Sequence, residues 1–372
     1  MGLSVLSSLL SILCLGLAVT VGSTFHRGVK PGSISVLDSI PSIFPSKVQF
    51  ISGVADFDSP KLGSVNLTVY DWWYFDAVSD DQKSSITVVF FTSSSVAFPF
   101  LLPNIGILPV YIWASFPNGT VSTHIAHAQK AVIETSRLGY AGIYSPIGMG
   151  WQGSADLSRY RVSLNDKILG IRGTLDIKSV APPHYPCGAA TPNVDMQVSP
   201  HVGWANAIPD GNASVDMEIA GSKLRFHGSA YHDKNWSDVP FTTTAKTWYW
   251  GRSRIGPYSI VWFYVLTPQQ TEHVSAYIAR GGKIIHSACN GATVQPILNA
   301  IPRLPAGGLP VGFRIEFQAA GEKSPLVNIT VNNGLAIASA GPLYTRWIGN
   351  STGCVMGECG LHGFGTLEQF QL

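Results

Sequence analysis

Tyr258-Ser259-Ile260-Val261-Trp262-Phe263-Tyr264-Val265 reads as a β-strand that needs cover on both sides. Successive side chains of a strand point to opposite faces. One face carries Tyr258, Ile260, Trp262 and Tyr264, the other Ser259, Val261, Phe263 and Val265. A half-solvated strand alternates apolar with polar residues, and this one does not. Its aromatic face has two readings, burial in ordinary core or contact with a ligand cavity or a second domain. The residues alone leave both open.

Strand patterns extend outward from this stretch over the whole chain. Ser85–Thr92 is β-branched and aromatic. Val110–Phe116 and Val121–His127 flank the turn Pro117-Asn118-Gly119. Met217–Ile219 and Leu224–Phe226 flank Ala220-Gly221-Ser222, and His273–Ala279 and Lys283–Ala288 flank Arg280-Gly281-Gly282. Leu326–Val331 and Leu335–Ala340 around Asn332-Asn333-Gly334 predict a further hairpin. One short helix is expected at Val294–Ile301, stopped by Pro302. Evenly spaced short strands with Gly/Asn turns define an all-β chain of sandwiches or barrels.

At 372 residues the chain is long enough for two domains. Pro- and Gly-rich stretches mark loops at Ala181–Pro192 and Pro302–Pro310, and Ser237–Ala245 reads as the linker between halves. The expected division is a signal peptide over 1–23, an N-terminal β-domain over 24–240 and a C-terminal β-barrel domain over 241–372. Residues 24–45, with Pro31, Pro41 and Pro45, read as an extended lead-in.

Leu3 to Val21 is almost wholly apolar and is followed by the small residues Gly22 and Ser23, the pattern of a secretory signal. An uncleaved membrane anchor is the alternative, since ~20 apolar residues span a bilayer. The secretory reading implies a secreted or lumenal protein without stable membrane association once the signal is removed. Removing Cys14 with the signal leaves Cys187, Cys289, Cys354 and Cys359. Four cysteines allow three disulfide connectivities. The short Cys354–Cys359 loop is plausible, which would leave Cys187–Cys289 to tie the halves, and free thiols stay open as well. Sequons stand at Asn66, Asn118, Asn212, Asn235, Asn328 and Asn350.

Charged residues make up 12% of the chain and the net charge is +2, against about 25% charged in an average protein. No Lys/Arg cluster tracks a phosphate backbone, so nucleic acid is not an expected partner. HExxH, GxSxG and Walker A patterns are absent. Gly148-Met149-Gly150-Trp151-Gln152-Gly153 fits G-x-G-x-x-G, but Pro146 precedes it and no helical pattern follows, so it reads as a turn entering a strand. His124 and His127 point to opposite faces of their strand and cannot easily share a metal. Neither a metal nor a cofactor is expected.

The chemistry then falls on aromatic segments holding a few polar groups. In Asp71-Trp72-Trp73-Tyr74-Phe75-Asp76, alternation puts Asp71, Trp73 and Phe75 on one face and Trp72, Tyr74 and Asp76 on the other. An acid among indoles in an apolar cleft carries a raised pKa; the plain alternative is an acid that pins a loop. In Tyr231-His232-Asp233-Lys234-Asn235-Trp236, Tyr231, Asp233 and Asn235 share a face opposite His232, Lys234 and Trp236. That cluster suits either catalysis or a structural lock between domains. A third group, Trp248, Tyr249, Trp250, Arg252, Trp262, Tyr264, Tyr344, Arg346 and Trp347, offers stacking surfaces and cationic donors.

The Asp71–Asp81 and Gly228–Asp238 stretches resemble the two hallmark segments of the hydroxyneurosporene-synthase-like family, a WWYFDA-like strand and a G-x-x-Y-H-D-x-N-W-G-like strand. The fungal Diels–Alderases belong to that family, and the likeness to them is greatest over Asp71–Phe91. The resemblance implies two tandem lipocalin-like β-domains with a ligand cleft between them. It implies a pericyclase that performs a stereoselective [4+2] cycloaddition on a small lipophilic polyketide or terpenoid substrate. The apparent signal points toward the hetero-Diels–Alder branch, in which a tropolone o-quinone methide, formed by dehydration, joins a sesquiterpene alkene. A hydratase or isomerase acting on an isoprenoid, and a non-catalytic carrier of a lipophilic ligand, are the alternatives.

On this reading Asp71, His232 and Asp233 are the catalytic acids. Trp72, Tyr74, Trp236, Trp248, Trp262, Tyr264, Arg346 and Trp347 hold the substrate. The sequence departs from the family pattern at Ser237, where glycine is usual, and that change creates the sequon at Asn235. The family pattern buries Asn235, so glycans are expected only at Asn66, Asn118, Asn212, Asn328 and Asn350.

Overall fold

The computed structural model describes residues 32–298 and 309–372. The expected signal peptide, the first part of the lead-in, the end of the expected helix and most of the Pro302–Pro310 loop lie outside the described residues.

Among the described residues, two antiparallel sheets carry the fold, together with a single helical turn at Phe241–Thr244. The first, 15-stranded, runs from the edge strand Ser33–Asp38 through Lys130–Ser136, Gly139–Ser145, Met149–Ser154, Arg159–Asp166 and Ile171–Ser179. It continues through Val202–Ile219, Ser222–Ser237, Tyr70–Ser79, Ser85–Ser93 and Pro109–Ser115 to Val121–His127. The sheet curls, so distant parts of this path meet. Phe90 packs on Tyr144 at 5.1 Å between ring centroids, and the Tyr144 hydroxyl donates to the Phe91 carbonyl at 3.4 Å. The second sheet, 9-stranded, runs Lys283–Ala288, Glu272–Arg280, Tyr258–Leu266, Thr247–Ile255, Glu358–Gln371, Tyr344–Val355, Val327–Ser339, Gly312–Phe317, Ala292–Ile297.

Residue pattern decides which strands lie where. Arg159–Asp166 alternates exposed and buried residues along its whole length, as the wall of a curled sheet facing water does. Tyr70–Ser79 is buried at every position. One of its faces points into the curl of the first sheet and the other meets the second sheet. Tyr258–Leu266 is sandwiched in the same way, with its faces reversed from the cavity expectation. Val261, Phe263 and Val265 enter the cluster between the sheets, while Tyr258, Ile260 and Trp262, with Tyr264 packed against them, fill the second sheet's own core. Gly251 lies across from Trp262, and a Cβ there would collide with the indole.

Polar clasps fix the sheets against each other. Arg252 pairs with Asp76, and Arg254 with Asp210. The loop at 181–192 folds onto the second sheet. Its carbonyls at Pro182 and Pro186 accept from Tyr277 and Ser275, and His184 stacks on Tyr277 at 4.0 Å. The disulfides are Cys187–Cys289, which crosses between the sheets, and Cys354–Cys359 within a hairpin.

Two local expectations are corrected. The segment expected as a helix from Val294 instead forms the strand Ala292–Ile297, paired with Gly312–Phe317, because its β-branched residues find a partner strand. Asn332-Asn333-Gly334 is not a hairpin turn. Val327–Ser339 continues through it as one strand, absorbing the extra residues as a register shift between Asn333 and Ala336 against Tyr344–Val355.

Candidate functional site

A cavity of about 220 Å³ opens where the two sheets meet. Its walls come from Trp72 and Tyr74 on one strand, Val89 and Phe91 on the next, and the loop carrying Phe98, Phe100 and Leu101. The second sheet adds Trp248, Trp250, Tyr344, Arg346, Glu368 and Phe370. Aromatic rings dominate; Trp72 meets Phe98 at 4.9 Å and Tyr344 stacks on Phe370 at 4.4 Å. Such a surface selects flat, greasy ligands.

Two carboxyls interrupt this apolar wall. Asp233 is 4% exposed. Its Oδ2 accepts from the Tyr231 hydroxyl at 2.7 Å and from Trp204 Nε1 at 2.8 Å. Both donors are neutral. Burial without a cation pushes the Asp233 carboxyl up to about 8, with Glu368 and Asp76 adding to the effect and the two donors opposing it. Glu368 has a different setting. Its Oε2 accepts from Arg346 Nη2 at 2.9 Å and Nε at 3.1 Å. Burial raises its pKa, and Arg346 opposes the rise. The Arg346 guanidinium lies over the rings of Tyr74 and Trp113 at 4.7 and 5.3 Å, a cation held by π-faces as well as by its counter-ion. Among the described residues, one acid therefore has no cation paired with it, and the other has Arg346.

Beneath the cavity, the Tyr74 hydroxyl donates to Asp76 Oδ2 at 2.8 Å, and Asp76 is held by Arg252. This network fixes the wall from behind.

Of the residues expected from sequence, Trp72, Tyr74, Asp233, Trp248 and Arg346 line the cavity. The others do not. Asp71 points into the first sheet's interior, where both of its oxygens accept from Lys234 Nζ at 2.7 and 2.8 Å. His232 is there too, stacked on Phe75 at 3.9 Å, with Nε2 3.1 Å from Asp58 Oδ2. Trp236 donates its indole N–H to the Gln49 carbonyl at 2.8 Å. Trp262 and Trp347 sit in the core of the second sheet, and Tyr264 packs against that core with its hydroxyl on Glu272. In each case the reason is alternation. Asp71, His232 and Trp236 lie on the faces opposite Trp72 and Asp233, and Trp347 lies opposite Arg346. Asp71 and Trp347 thus belong to separate compartments, while their sequence neighbours Trp72 and Arg346 share one.

Sequence reasoning missed Glu368 and the Phe98–Leu101 loop. Glu368 lies in Gly365–Phe370, the buried end of its strand, and an acid between Leu367 and Phe370 is the signal that points to it. The loop has no comparable mark. Among the described residues, no group of three or more His, Cys, Asp or Glu is placed to hold a metal ion.

Curled sheet, second sheet and an aromatic, acid-bearing cavity between them define a lipocalin-like β-protein. The chain belongs to the Diels-Alderase-like family, whose sequence pattern matches residues 33–296; this places it among catalytic cyclases and pericyclases. It is 36% identical to the quinolone epoxide rearrangement protein penF of Penicillium thymicola over 88% of this chain and 92% of that protein. It is 38% identical to the quinolone epoxide rearrangement protein asqO of Emericella nidulans over 67% of this chain and 68% of that one. The crystal structure of CghA with Sch210972 shares the fold, with a TM-score of 0.75, 21% identity, and coverage of 91% of this chain and 98% of that one. Asp233 lies within the stretch that matches the family; Arg346 and Glu368 lie beyond it.

Proposed function

We propose that this protein rearranges and cyclises an aryl-bearing epoxide of the quinolone class, with Asp233 as general acid and Glu368 as proton acceptor. The observation that carries this reading is the contrast between the two cavity carboxyls, one without a cation and raised to about 8, the other held by Arg346. Paired acids whose surroundings differ in this way divide acid and base roles. The similarity to the quinolone epoxide rearrangement proteins penF and asqO supports the substrate class.

The Asp233 carboxyl gives its proton to the epoxide oxygen as the carbon–oxygen bond breaks, leaving a hydroxyl and an electron-poor carbon. A nucleophilic oxygen or alkene of the same substrate attacks that carbon. The cationic adduct then loses one proton, from the attacking oxygen or from a carbon next to the new cation, to the Glu368 carboxylate, which releases it to solvent, and solvent restores the proton on Asp233. The ring faces around the cavity favour the positive charge that develops and hold the reacting ends together.

The test is single-turnover conversion of a quinolone epoxide by purified protein. Asp233→Asn should lower kcat by about 10²–10⁴-fold with little change in KM. Unchanged turnover would remove Asp233 from the mechanism.

A second reading keeps the same cavity for a [4+2] hetero-cycloaddition between a tropolone o-quinone methide and a sesquiterpene alkene. The aromatic walls favour it, because orientation alone supplies up to about 7–11 kcal/mol to such a reaction. Asp233 would then protonate the departing hydroxyl of the tropolone precursor. Conversion of a hydroxymethyl tropolone, with no conversion of a quinolone epoxide, would select this reading.

A further inference from the structure

Trp250, Tyr231 and Trp204 form a directed set of hydrogen bonds ending on one oxygen of Asp233. Trp250 Nε1 donates to the Tyr231 hydroxyl at 3.2 Å. That hydroxyl donates to Asp233 Oδ2 at 2.7 Å, and Trp204 Nε1 donates to the same oxygen at 2.8 Å. Trp204 and Tyr231 are 0% exposed and Trp250 is 3% exposed.

An indole N–H donates and never accepts. The Trp250 bond therefore occupies an acceptor site of the Tyr231 hydroxyl, and the Tyr231 hydrogen turns toward Asp233. The Trp204 bond has only one possible direction. Both lone pairs of Oδ2 are then occupied. A proton placed on Oδ2 would take one of them and break one of two buried bonds, whereas Oδ1 forms no hydrogen bond among the described residues and belongs to a side chain that lines the cavity.

We propose that Trp204, Tyr231 and Trp250 are positioning residues that seat the acid proton of Asp233 on Oδ1, so that it is delivered from one oxygen to one face of the ligand. The proposal rests on the reading of Asp233 as the acid. It adds a source of stereochemical control in which none of the three residues need touch the reacting atoms. The site takes a ligand that presents a basic ether or hydroxyl oxygen toward Oδ1. Tyr231 on the same strand, Asp76 on the adjacent strand and Glu368 on the second sheet are the titratable groups that act on this carboxyl. Arg346, the cation in the cavity wall, is paired with Glu368.

The experiment is infrared titration of the ligand-free protein in ²H₂O. The carbonyl band of protonated Asp233 is assigned by its loss in Asp233→Asn. Tyr231→Phe deletes one hydroxyl and one donor to the ionised form. The titration midpoint should rise by about one pH unit, and the band should move to higher frequency. Trp204→Phe should do the same, and Trp250→Phe should shift both in the same direction by less. With a quinolone epoxide as probe, the alkaline limb of kcat/KM should follow the midpoint, and the ratio of product stereoisomers should fall.

A role confined to packing would lower Tm and leave midpoint and band in place; that result in folded Tyr231→Phe and Trp204→Phe overturns the proposal. If Tyr231→Phe does not fold, Trp250→Phe decides by the same readout, since it is one bond removed from the carboxyl. Full turnover by Asp233→Asn would defeat the acid assignment, whereas an unmoved band and midpoint would defeat the seating of the proton on Oδ1, so the two failures are distinct.

Discussion

Arg252 of the second sheet grips Asp76 of the first through Nε to Oδ1 at 3.0 Å, with both side chains 1% exposed. The second carboxylate oxygen holds the hydroxyl of Tyr74, a residue of the cavity wall. An ion pair at this depth links the relative placement of the sheets to the position of one wall residue.

Arg252→Met should therefore destabilise the protein by about 3–5 kcal/mol, because it leaves the Asp76 charge buried without its cation. Asp76→Asn combined with Arg252→Met should cost less than the single change. Urea unfolding of the four proteins in the cycle measures both.

Asp233 gives a pH dependence of stability with a definite sign. Its ordinary value is 3.8 and its folded value is about 8. Below 3.8 both states hold the proton and the group contributes nothing. Between these values the unfolded chain releases the proton and the folded chain keeps it, so folding is progressively penalised up to about pH 8. Asparagine has no such penalty. The stability of Asp233→Asn relative to wild type should rise from about pH 4 to about pH 8, reaching at most about 4 kcal/mol by about pH 7. A flat difference across that range would refute the shift.

The two disulfides should differ in worth. Cys187–Cys289 closes a span of 102 residues and Cys354–Cys359 a span of 5. In the chain-entropy account the first is worth about 4–5 kcal/mol and the second about 2. Paired Cys→Ser variants, compared by denaturant midpoint, should rank in that order.

Secretion from a eukaryotic host followed by glycopeptide mapping should find carbohydrate at Asn118, Asn212, Asn328 and Asn350, which are exposed, and at half-buried Asn66. It should find none at Asn235, which is 3% exposed and lines the cavity. Carbohydrate at Asn235 would mean that the site is built differently, and its absence at all six would count against passage through the secretory route.

Much of the fold was legible because strand alternation is local. Trp72 and Tyr74 on one face and Asp233 and Asn235 on another could be read from period two alone, and the turns at Asn118, Gly221 and Gly281 from their Gly and Asn residues. What period two does not say is which face meets what. Trp262 and Trp347 read as ligand contacts because an indole in core and an indole in a cavity look alike in sequence. Only long-range pairing, Trp347 opposite Leu367 for example, distinguishes them. Glu368 escaped for the same reason, since its partner Arg346 is 22 residues away on the neighbouring strand. The misread hairpin at Asn332-Asn333-Gly334 shows the converse, turn residues overruled by a neighbouring strand that continues past them.

Tyr70–Ser79 and the buried half of Ser222–Ser237, from Gly228 onward, serve two compartments at once, alternate residues facing the second sheet and its aromatic gap and the rest facing the curled interior. Such strands let the two jobs drift apart over generations. Exchanges at Trp72, Tyr74 or Asn235 can retune what the gap accepts while Asp71, Phe75 and Lys234 keep the scaffold standing. A single-residue deletion in either strand would swap the two sets wholesale. Diversification of this protein is thereby channelled into point replacement and away from length change in these two strands.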